Sequence, residues 1–490
     1  MSENFDLNNE TYVSEQLNCI ENMMMSRNYA LLNGLNVNLT GQRSRRITRY
    51  QIRRAVDNPF DELETLQQAS EMLSVTNGIY QEVLNYQANM LTDDYMLIPV
   101  NVGKVKTSEK MIKILEEQSN FLSKYNIKYN AKWMRHKILK IGELFIYVVE
   151  NSDSNIIQEL PGAFCKIVAK ENDVHRFAID LSKLNDNIIE YMPKEIQIAY
   201  KKYKNGNKGL KLIDRTWYQV GNRGVAFTLC ENKPKSTPYY SSIFDDLIEL
   251  EDKKDLKSQN DIVDAIKLIH QKLPYDKETG QLLINTKQAQ AIHNATKQNL
   301  PKGTAIVTHH LDTEILTLSD SNSKLDNSIK QATDSAYDSA GISAELFNGK
   351  KNSNEAIASG IVVDSLVPKR LQKMIENWLN FELSLNKKLG VQFKIRFVDT
   401  TEFNKDSKIK IARENMAYGG SRLEFLATSG YEPQEGLNLL KMEGLLGMDK
   451  IMIPQQSAHT LSSKDKSKDN GRPGKEKGDG DGQSSQPEQE

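Results

Sequence analysis

The chain has 490 residues, of which 38% are hydrophobic and 26% charged, and its formal net charge is −1. This length is enough for about two to four domains with a sizeable buried core. The charge balance argues against a strongly basic nucleic-acid-binding protein, so any contact with DNA is expected to be local or loose. Cys19, Cys165 and Cys230 lie far apart and are odd in number, which favours neither a disulfide framework nor a zinc cluster and is typical of a reducing cytoplasm.

Sequence motifs of catalysis and of cofactor or metal binding are missing. No G-x-x-x-x-G-K-[ST], H-E-x-x-H, C-x-x-C or G-x-S-x-G occurs. His309 and His310 are adjacent, so in a strand they point to opposite faces and cannot share a metal. We therefore expect no catalytic residue, no cofactor and no metal, and a structural rather than an enzymatic role. The start, MSENFDLNNE, is unlike a signal peptide, and no apolar run approaches the ~20 residues of a membrane span.

The first 98 residues are predicted to be mainly helical. Apolar residues recur at helical spacing in Tyr12–Leu35 and in Pro59–Leu91. Asn58 before Pro59 is typical of an N-cap followed by proline at the first helical position. A strand at Tyr95–Val100 and an amphipathic helix at Thr107–Tyr125 are predicted next.

Residues 140 to 231 have the pattern of an antiparallel sheet. Short runs rich in Val, Ile, Phe and Tyr are separated by Asn, Gly, Asp and Pro. Phe177, Ile179 and Leu181 alternate with other residues, as in a strand buried on one face. Only Ile188–Lys204 breaks this pattern as a helix, so the predicted fold class is α+β.

A long polar helix is predicted at Ser241–Leu273, between Pro238 and Pro274. Its C-terminal part has the apolar spacing of one helical face, at Ile262, Ile266, Ile269 and Leu273. Its middle, Glu251–Asn260, contains only Leu256 as an apolar residue. Such a helix suits a polar interface between neighbouring chains better than the core of a monomer.

A compact insert and two further long helices follow. The insert is expected to contain a helix at Thr286–Asn299 and strands at Thr304–Thr308 and Glu314–Leu318. Strands in so small a unit leave unpaired edges, and the insert of a second copy could pair with them. A self-contained α/β subdomain is the alternative. The second long helix is predicted at Lys324–Ala340, and the third, interrupted at Pro368, follows a loop rich in Gly, Asn and Lys.

The C-terminal part is predicted to contain a strand and two short helices. The strand is VQFKIRFVDT, and the helices are KDSKIKIARENMAYGG and PQEGLNLLKMEGLLGM. Beyond Leu461 there is no aliphatic or aromatic residue, so 456–490 is predicted to be a disordered tail.

Six arginines within twelve residues form the sharpest local charge feature: Arg43, Arg45, Arg46, Arg49, Arg53 and Arg54. On a helix, Arg46, Arg49 and Arg53 share one face, and arginine binds phosphate or carboxylate in a bidentate manner. A solvated face or salt bridges to acidic helices of another subunit is one interpretation. Contact with phosphate or nucleic acid is the other.

The first long helix carries negative charge, opposite to that of the arginine cluster. Its acidic residues are Asp245, Asp246, Glu249, Glu251, Asp252 and Asp255. An exposed helix with acids near its N-terminus is one interpretation, because the helix dipole favours them there. In a ring of such helices, a repeated acidic face would repel phosphates and let DNA slide without adhering.

The order of these segments resembles the portal proteins of tailed bacteriophages, of the type found in phages of Gram-positive hosts. SEMLSVTNGIYQEVLNYQANMLTDDYMLIP resembles the wing helix and following strand, and ELPGAFCKIV and RFAIDLSKL resemble the wing sheet. Pro238 to Leu273 is similar to the first stem helix. GISAELFNG, then SNEA and Pro368, look like the tunnel loop and the kinked wing helix. The similarity covers about residues 60 to 455, and the Arg-rich and tail segments have no counterpart.

The resemblance implies a portal-like α+β fold with a wing, a two-helix stem, a small α/β clip, a kinked wing helix and a helical crown. The implied boundaries are an N-terminal arm at 1–55, the wing at 56–240, stem helices at 241–273 and 321–341, the clip at 274–320, the tunnel loop at 342–355, the kinked wing helix and strand at 356–403, the crown at 404–455 and the tail at 456–490. The DNA-facing residues of the tunnel loop would be Phe347, Asn348, Lys350, Lys351 and Asn352.

The function implied by the resemblance is a ring of twelve copies at one capsid vertex, assembled in the host cytoplasm and retained in the virion. Expected partners are other copies of the chain, double-stranded DNA without sequence preference, the terminase large subunit, a head-tail adaptor, and the scaffolding and major capsid proteins, with no membrane. The alternative is a DNA-binding or nucleic-acid-processing protein that uses Arg43–Arg54.

Overall fold

A computed structural model describes residues 47–447 except for 101–106, 152–153, 207–208, 211, 231–234, 266, 275, 277–282, 299–303, 310–318, 348–353 and 386–392. Two compact units divide the chain, Met1–Gly436 and Leu437–Glu490. The helix predicted at Tyr12–Leu35 and the tail predicted at 456–490 lie outside the described residues. In the described part of the chain, no helix combines the length and apolar character of a membrane span.

The N-terminal part is helical, as predicted. Its elements are α1 (Arg49–Asp57), α2 (Leu63–Thr76), α3 (Gly78–Asn89), β1 (Tyr95–Pro99), α4 (Ser108–Ser123) and α5 (Ile127–Ile141). Thr48 and Gln51 form a capping box that starts α1. The strand predicted at Tyr95–Val100 and the helix at Thr107–Tyr125 are confirmed.

The single helix predicted at Pro59–Leu91 is wrong in two places. Asn58 is not an N-cap but the residue that ends α1, and a turn separates it from α2. A second interruption falls at Asn77, whose side chain accepts a hydrogen bond from the Tyr80 backbone and so caps α3. The Asn77-Gly78 dipeptide is the sequence signal of this break.

The predicted antiparallel sheet is present and has six strands. They are β2 (Glu143–Val149), β3 (Ile156–Leu160), β4 (Cys165–Glu171), β5 (Val174–Asp180), β6 (Trp217–Gln219) and β7 (Gly224–Thr228). The order is β3-β2-β7-β5-β4, with β6 paired to β5. The helix predicted at Ile188–Lys204 is instead two helices, α6 (Asp186–Ile189) and α7 (Lys194–Lys204), because Pro193 lies between them.

Both faces of the sheet are covered, which corrects the prediction of one-sided burial in β5. Every residue of β5 is buried. Leu144 and Ile146 of β2 pack into the core formed with the N-terminal helices, whereas Phe145 and Phe177 pack into a second core with α6 and α7. The α+β class is therefore correct, with helices on both sides of the sheet.

Two long helices flank the insert. They are α8 (Phe244–Ala265) and α10 (Ser319–Ser339), and the insert contributes β8 (Lys267–Lys272), α9 (Thr286–Gln298) and β9 (Thr304–His309). The predicted helix at Thr286–Asn299 and strand at Thr304–Thr308 are confirmed, whereas the strand predicted at Glu314–Leu318 lies outside the described residues. The second long helix begins earlier than the predicted Lys324.

The first long helix is shorter than predicted. It ends at Ala265, and residues of the predicted C-terminal third form β8 instead. β8 pairs in parallel with β9, with Lys267 opposite Thr304 and Lys272 opposite His309. The apolar spacing at 262–273 was consistent with a helix, but β-branched isoleucines also favour strands, and the distant partner strand decides between the two.

The third long helix is interrupted at Ser365, not at Pro368. It consists of α11 (Asn354–Asp364) and α12 (Leu366–Leu385), so Pro368 lies in the first turn of α12, where proline is tolerated. Because proline has no N–H, the carbonyl of Asp364 lacks its usual helical donor. The Gln87 side chain supplies one, at 3.2 Å.

The chain returns to the helical core at its last described strand. β10 (Phe393–Phe397) pairs antiparallel with β1, and α13 (Lys405–Ala417), α14 (Arg422–Thr428) and α15 (Pro433–Leu446) follow. Lys128 of α5 contacts the Asp94 carboxylate at 2.8 Å and donates to the Gly430 carbonyl at 2.6 Å. This lysine thereby joins the start of β1 to the loop after α14.

Candidate functional site

Among the described residues, the helix pair α8 and α10 is fixed to the protein core at one end. The first two turns of α8 are anchored by buried apolar residues, namely Phe244, Leu247, Ile248 and Leu250. The Phe244 ring packs edge-on against Tyr80 with centroids 5.4 Å apart. The end of α10 contributes Ala336 and Tyr337 to the same core. The two helices therefore run antiparallel from a common base towards the insert.

Beyond this base, the helix pair is polar and accessible. Leu256 is 48% exposed, and most neighbouring residues of α8 between Glu251 and Gln259 are exposed or half-buried. Lys257 forms an ion pair with Asp326 of α10. The described middle of this helix pair therefore has a mainly polar surface, which suits contact with polar surfaces of neighbouring molecules.

The arginines of α1 lie along the acidic side of α8. Arg49 forms ion pairs with Asp252, with Asp255 at 3.1 Å and with Glu251 at 3.7 Å. Arg53 binds Asp245 at 2.7 Å and lies 3.6 Å from Asp252. The structure therefore brings the two charged sets predicted from sequence together within one chain.

These ion pairs reduce the number of charged side chains on α1 and α8 that are available to bind another molecule. A hydrogen bond to Asp245 raises the pKa of Arg53 above its ordinary value, and Asp252 and Glu249 act in the same direction. The acidic side of α8 is thus partly neutralised by its own chain. Arg54 instead binds Glu62 at 2.7 Å, and Arg43, Arg45 and Arg46 lie outside the described residues.

The two remaining acids of the predicted set are arranged differently. Glu249 forms an ion pair with Lys253, one turn along α8, at 2.8 Å. Asp246 is half-buried in the first turn of α8, where the helix dipole favours a carboxylate.

Phe347 packs against two other aromatic rings at the base of the helix pair. Its ring stacks on Tyr337 with centroids 5.0 Å apart and packs edge-on against Tyr86 at 5.3 Å. These contacts lie within one chain, so the assignment of Phe347 as a DNA-facing residue of the tunnel loop stays a prediction. Asn348, Lys350, Lys351 and Asn352 lie outside the described residues.

An open cleft of about 830 Å³ adjoins this aromatic group. It lies between the α2–α3 junction and α8, and its lining includes Asn77, Ile79, Glu82, Tyr86, Glu251 and Phe347. Glu82 accepts a hydrogen bond from the Tyr337 hydroxyl at 2.9 Å. The Asn77 side chain donates to Glu251 at 3.2 Å. Two carboxylates therefore lie at the edge of a partly aromatic cleft.

A fully buried ion pair, which the sequence analysis did not predict, connects α5 to the residues just before β1. Arg135 binds both carboxylate oxygens of Asp93 at 2.6 Å and donates to the Ala88 carbonyl at 3.0 Å. Asp93 has a left-handed backbone, with φ of 57°, and accepts a further hydrogen bond from Gln372. Since Asp93 and Arg135 belong to different elements, no local pattern indicates the pair.

A second buried carboxyl group belongs to Glu143, at the start of β2. Burial raises the pKa of Glu143 to about 7, although Lys235 and a hydrogen bond from the Ser236 backbone oppose the change. One of its oxygens has no hydrogen-bond partner in the described part of the chain. The pKa of the nearby Cys165 thiol is also raised, first by burial and then by Glu143.

The described residues contain no group of three or more His, Cys, Asp or Glu side chains arranged to hold a metal ion. The charged groups form pairs and short networks instead. Their arrangement can bind charged surfaces and join elements.

Comparison with known proteins does not identify a family for this chain. No protein-family model matches, and no curated protein matches. A chain from the neck of an empty gene transfer agent (GTA) particle, computed with C6 symmetry, is similar at a TM-score of 0.37 and 10% identity, over 72% of this chain and 94% of that one.

Two other chains of such particles are similar to the same degree. One is from the virion of a native GTA particle, with a TM-score of 0.36, 11% identity and coverage of 72% and 89%. The other is from the neck of a native GTA particle computed with C12 symmetry, with a TM-score of 0.36, 11% identity and coverage of 74% and 93%. TM-scores below 0.5 do not establish a common fold, so these likenesses assign neither family nor function.

Proposed function

We propose that the chain is the subunit of a viral portal, a ring of twelve copies at one capsid vertex. The observation that carries this proposal is the antiparallel pair α8 and α10. It is anchored at its base, polar along its middle and separated by an insert, in the order that the sequence resemblance implies. A head-to-tail contact that closes on itself generates a ring.

In this role the protein is a conduit without catalysis of its own. Double-stranded DNA would pass through the channel during packaging and ejection, and the energy would come from the terminase motor docked on the insert. A head-tail adaptor and the scaffolding and major capsid proteins would be the other partners. The location would be the virion, after assembly in the host cytoplasm.

The size of the purified protein tests this proposal. A ring of twelve chains of 55.7 kDa has a mass of about 670 kDa. We expect light scattering to detect such a particle, with or without added scaffolding protein, and negative-stain images to show rings with a central hole. Monomers at micromolar concentration under both conditions, with no rings in the images, would remove the proposal.

The structure gives less support to the alternative of a DNA-binding protein that uses Arg43–Arg54. Arg49, Arg53 and Arg54 each contact a carboxylate of the same chain. Phosphate would have to displace these contacts before it could bind. We therefore retain the portal proposal as the better supported one.

A further inference from the structure

The open cleft beside Phe347 lies where the described chain begins. Arg49, at the start of α1, is 3.7 Å from Glu251. Glu251 accepts the hydrogen bond from Asn77, and both residues line the cleft. The described chain therefore begins close to the edge of this cleft.

The side chains at the cleft favour an occupant that is apolar with one cationic group. Ile79, Tyr86 and Phe347 supply apolar surface, and Val75, just before the cleft, is 79% exposed. Exposed apolar surface of this kind is typical of an interaction site. Glu82 and Glu251 add negative charge at the same place, where Lys254 is the one cation among the described lining residues.

The N-terminal segment Tyr12–Leu35 has this composition on one helical face. At helical spacing, Val13, Leu17, Ile20, Met24 and Leu31 share a face, and Arg27 lies on it between Met24 and Leu31. The residues from 36 to 46, eleven in number, can span about 35 Å when extended. This length is ample for the segment to return to a cleft beside Arg49.

We propose that Tyr12–Leu35 docks in the cleft between the α2–α3 junction and α8 of its own chain. Its apolar face covers Ile79, Tyr86 and Phe347, and Arg27 pairs with Glu82 or Glu251. The N-terminal arm thereby covers the apolar surface at the base of the helix pair. This docking is a property of the single chain and does not depend on ring formation.

Cross-linking tests the position of the segment. Ile20→Cys is combined with Gln81→Cys or with Asn85→Cys, both in the cleft, in a chain that carries Cys19→Ser and Cys230→Ser. A short bismaleimide should join the two cysteines within one chain, as seen by peptide mapping. The matched control replaces the cleft cysteine by Glu64→Cys, on the exposed side of α2, and should give no such product. Cross-links between chains would overturn the docking within one chain.

Hydrogen exchange tests the contact without added cysteines. Leu17→Asp with Ile20→Asp should make the amides of residues 76–86 exchange about tenfold faster. The control, Asn18→Asp with Asn22→Asp, adds the same charge on the opposite face and should leave this exchange unchanged. Equal exchange in both variants, with no cross-link at either cleft position, would overturn the proposal and leave the portal proposal untouched.

Discussion

Glu143 is a carboxyl group whose environment favours the protonated form. Burial raises its pKa to about 7, so the folded protein binds this proton more tightly than the unfolded chain does, whose pKa is near 4.5. The stability that the proton provides is complete below about pH 4.5 and is lost as the pH rises to about 7.

Glu143→Gln should remove this dependence on pH. Between about pH 4.5 and 7, we expect the free energy of unfolding of the wild type to fall by roughly 3 kcal/mol relative to that of the variant. Denaturant unfolding across this range measures the difference. Glu64→Gln, on the surface of α2, is the matched control and should leave the wild-type profile unchanged. Parallel profiles for wild type and Glu143→Gln would contradict the assignment.

His136 has the opposite effect in the same range but does not obscure the comparison. Burial lowers its pKa to about 4, with smaller contributions from Lys140 and Lys137. The stability linked to neutral His136 is present above about pH 6.5 and is lost as the pH falls to about 4. Because His136 is present in both proteins, its effect cancels in the difference between them.

Individual contacts were the least predictable part of the structure. The sequence shows that Arg49, Arg53 and the acids of α8 are oppositely charged, but not that they lie in one chain at contact distance. Asp93 and Arg135 give no local signal, because their pairing requires the packing of α5 against the end of α3. Phe347 was assigned to an open loop, and only the positions of Tyr86 and Tyr337 show that its ring is packed.

At the scale of elements, the contact between α1 and α8 has an electrostatic part, the ion pairs of Arg49 and Arg53, beside the buried apolar residues Ile52 and Ala55 of α1. The paired side chains are about half exposed, at 46% for Arg49 and 48% for Arg53. Exposed ion pairs contribute about 0–1 kcal/mol each, and salt screens them. The position of α1 on α8 should therefore be sensitive to charge reversal and to ionic strength.

Arg49→Glu with Arg53→Glu should lower the thermal midpoint, more at low salt than at high salt, since attraction becomes repulsion. Further reversal by Asp245→Arg with Asp252→Arg should restore most of the loss. Thermal melts at low and high salt measure both effects. Arg54→Glu is the control, because Arg54 contacts Glu62 and not α8. A double variant as stable as the wild type would show that the ion pairs do not position α1.

The loop before α11 is the element that the sequence resemblance places in the channel. Lys350→Glu with Lys351→Glu should preserve assembly but impair DNA packaging or retention, because a positive collar acts on phosphates within about 8 Å at physiological salt. Lys201→Glu with Lys202→Glu, an adjacent exposed pair on α7, is the matched control. Normal yields of DNA-filled particles from the loop variant would contradict the tunnel-loop assignment.

Periodicity predicted the existence of most elements but not every boundary. β1, α4, β9 and the strand at β10 follow directly from local patterns. The C-terminal part of the first long helix did not, because its backbone pairs with a strand more than thirty residues away. At Ser365 the helix break precedes the proline that suggested it, because Pro368 has no N–H to donate to the Asp364 carbonyl four residues earlier. The Gln87 side chain donates to this carbonyl instead.

At the scale of the whole molecule, burial is very uneven. Two adjoining cores cover both faces of the sheet and hold the base of the helix pair. The insert differs, because α9 has no buried residue among those described, and Ile292 on this helix is 43% exposed. A helix gains most of its stability from packing an apolar face, so α9 receives little from the described part of its own chain.

This exposed helix makes proteolysis a measure of assembly. Local opening of the insert should cost little free energy in a single chain, so a protease should cut readily between residues 275 and 320. When copies assemble and cover α9, the same bonds should be cut at least tenfold more slowly, while cleavage within the tail stays fast. Equal rates of cleavage in the insert of single and assembled chains would contradict this. If the prediction holds, the ratio of cleavage in the insert to cleavage in the tail, read from a gel, gives the assembled fraction of a preparation.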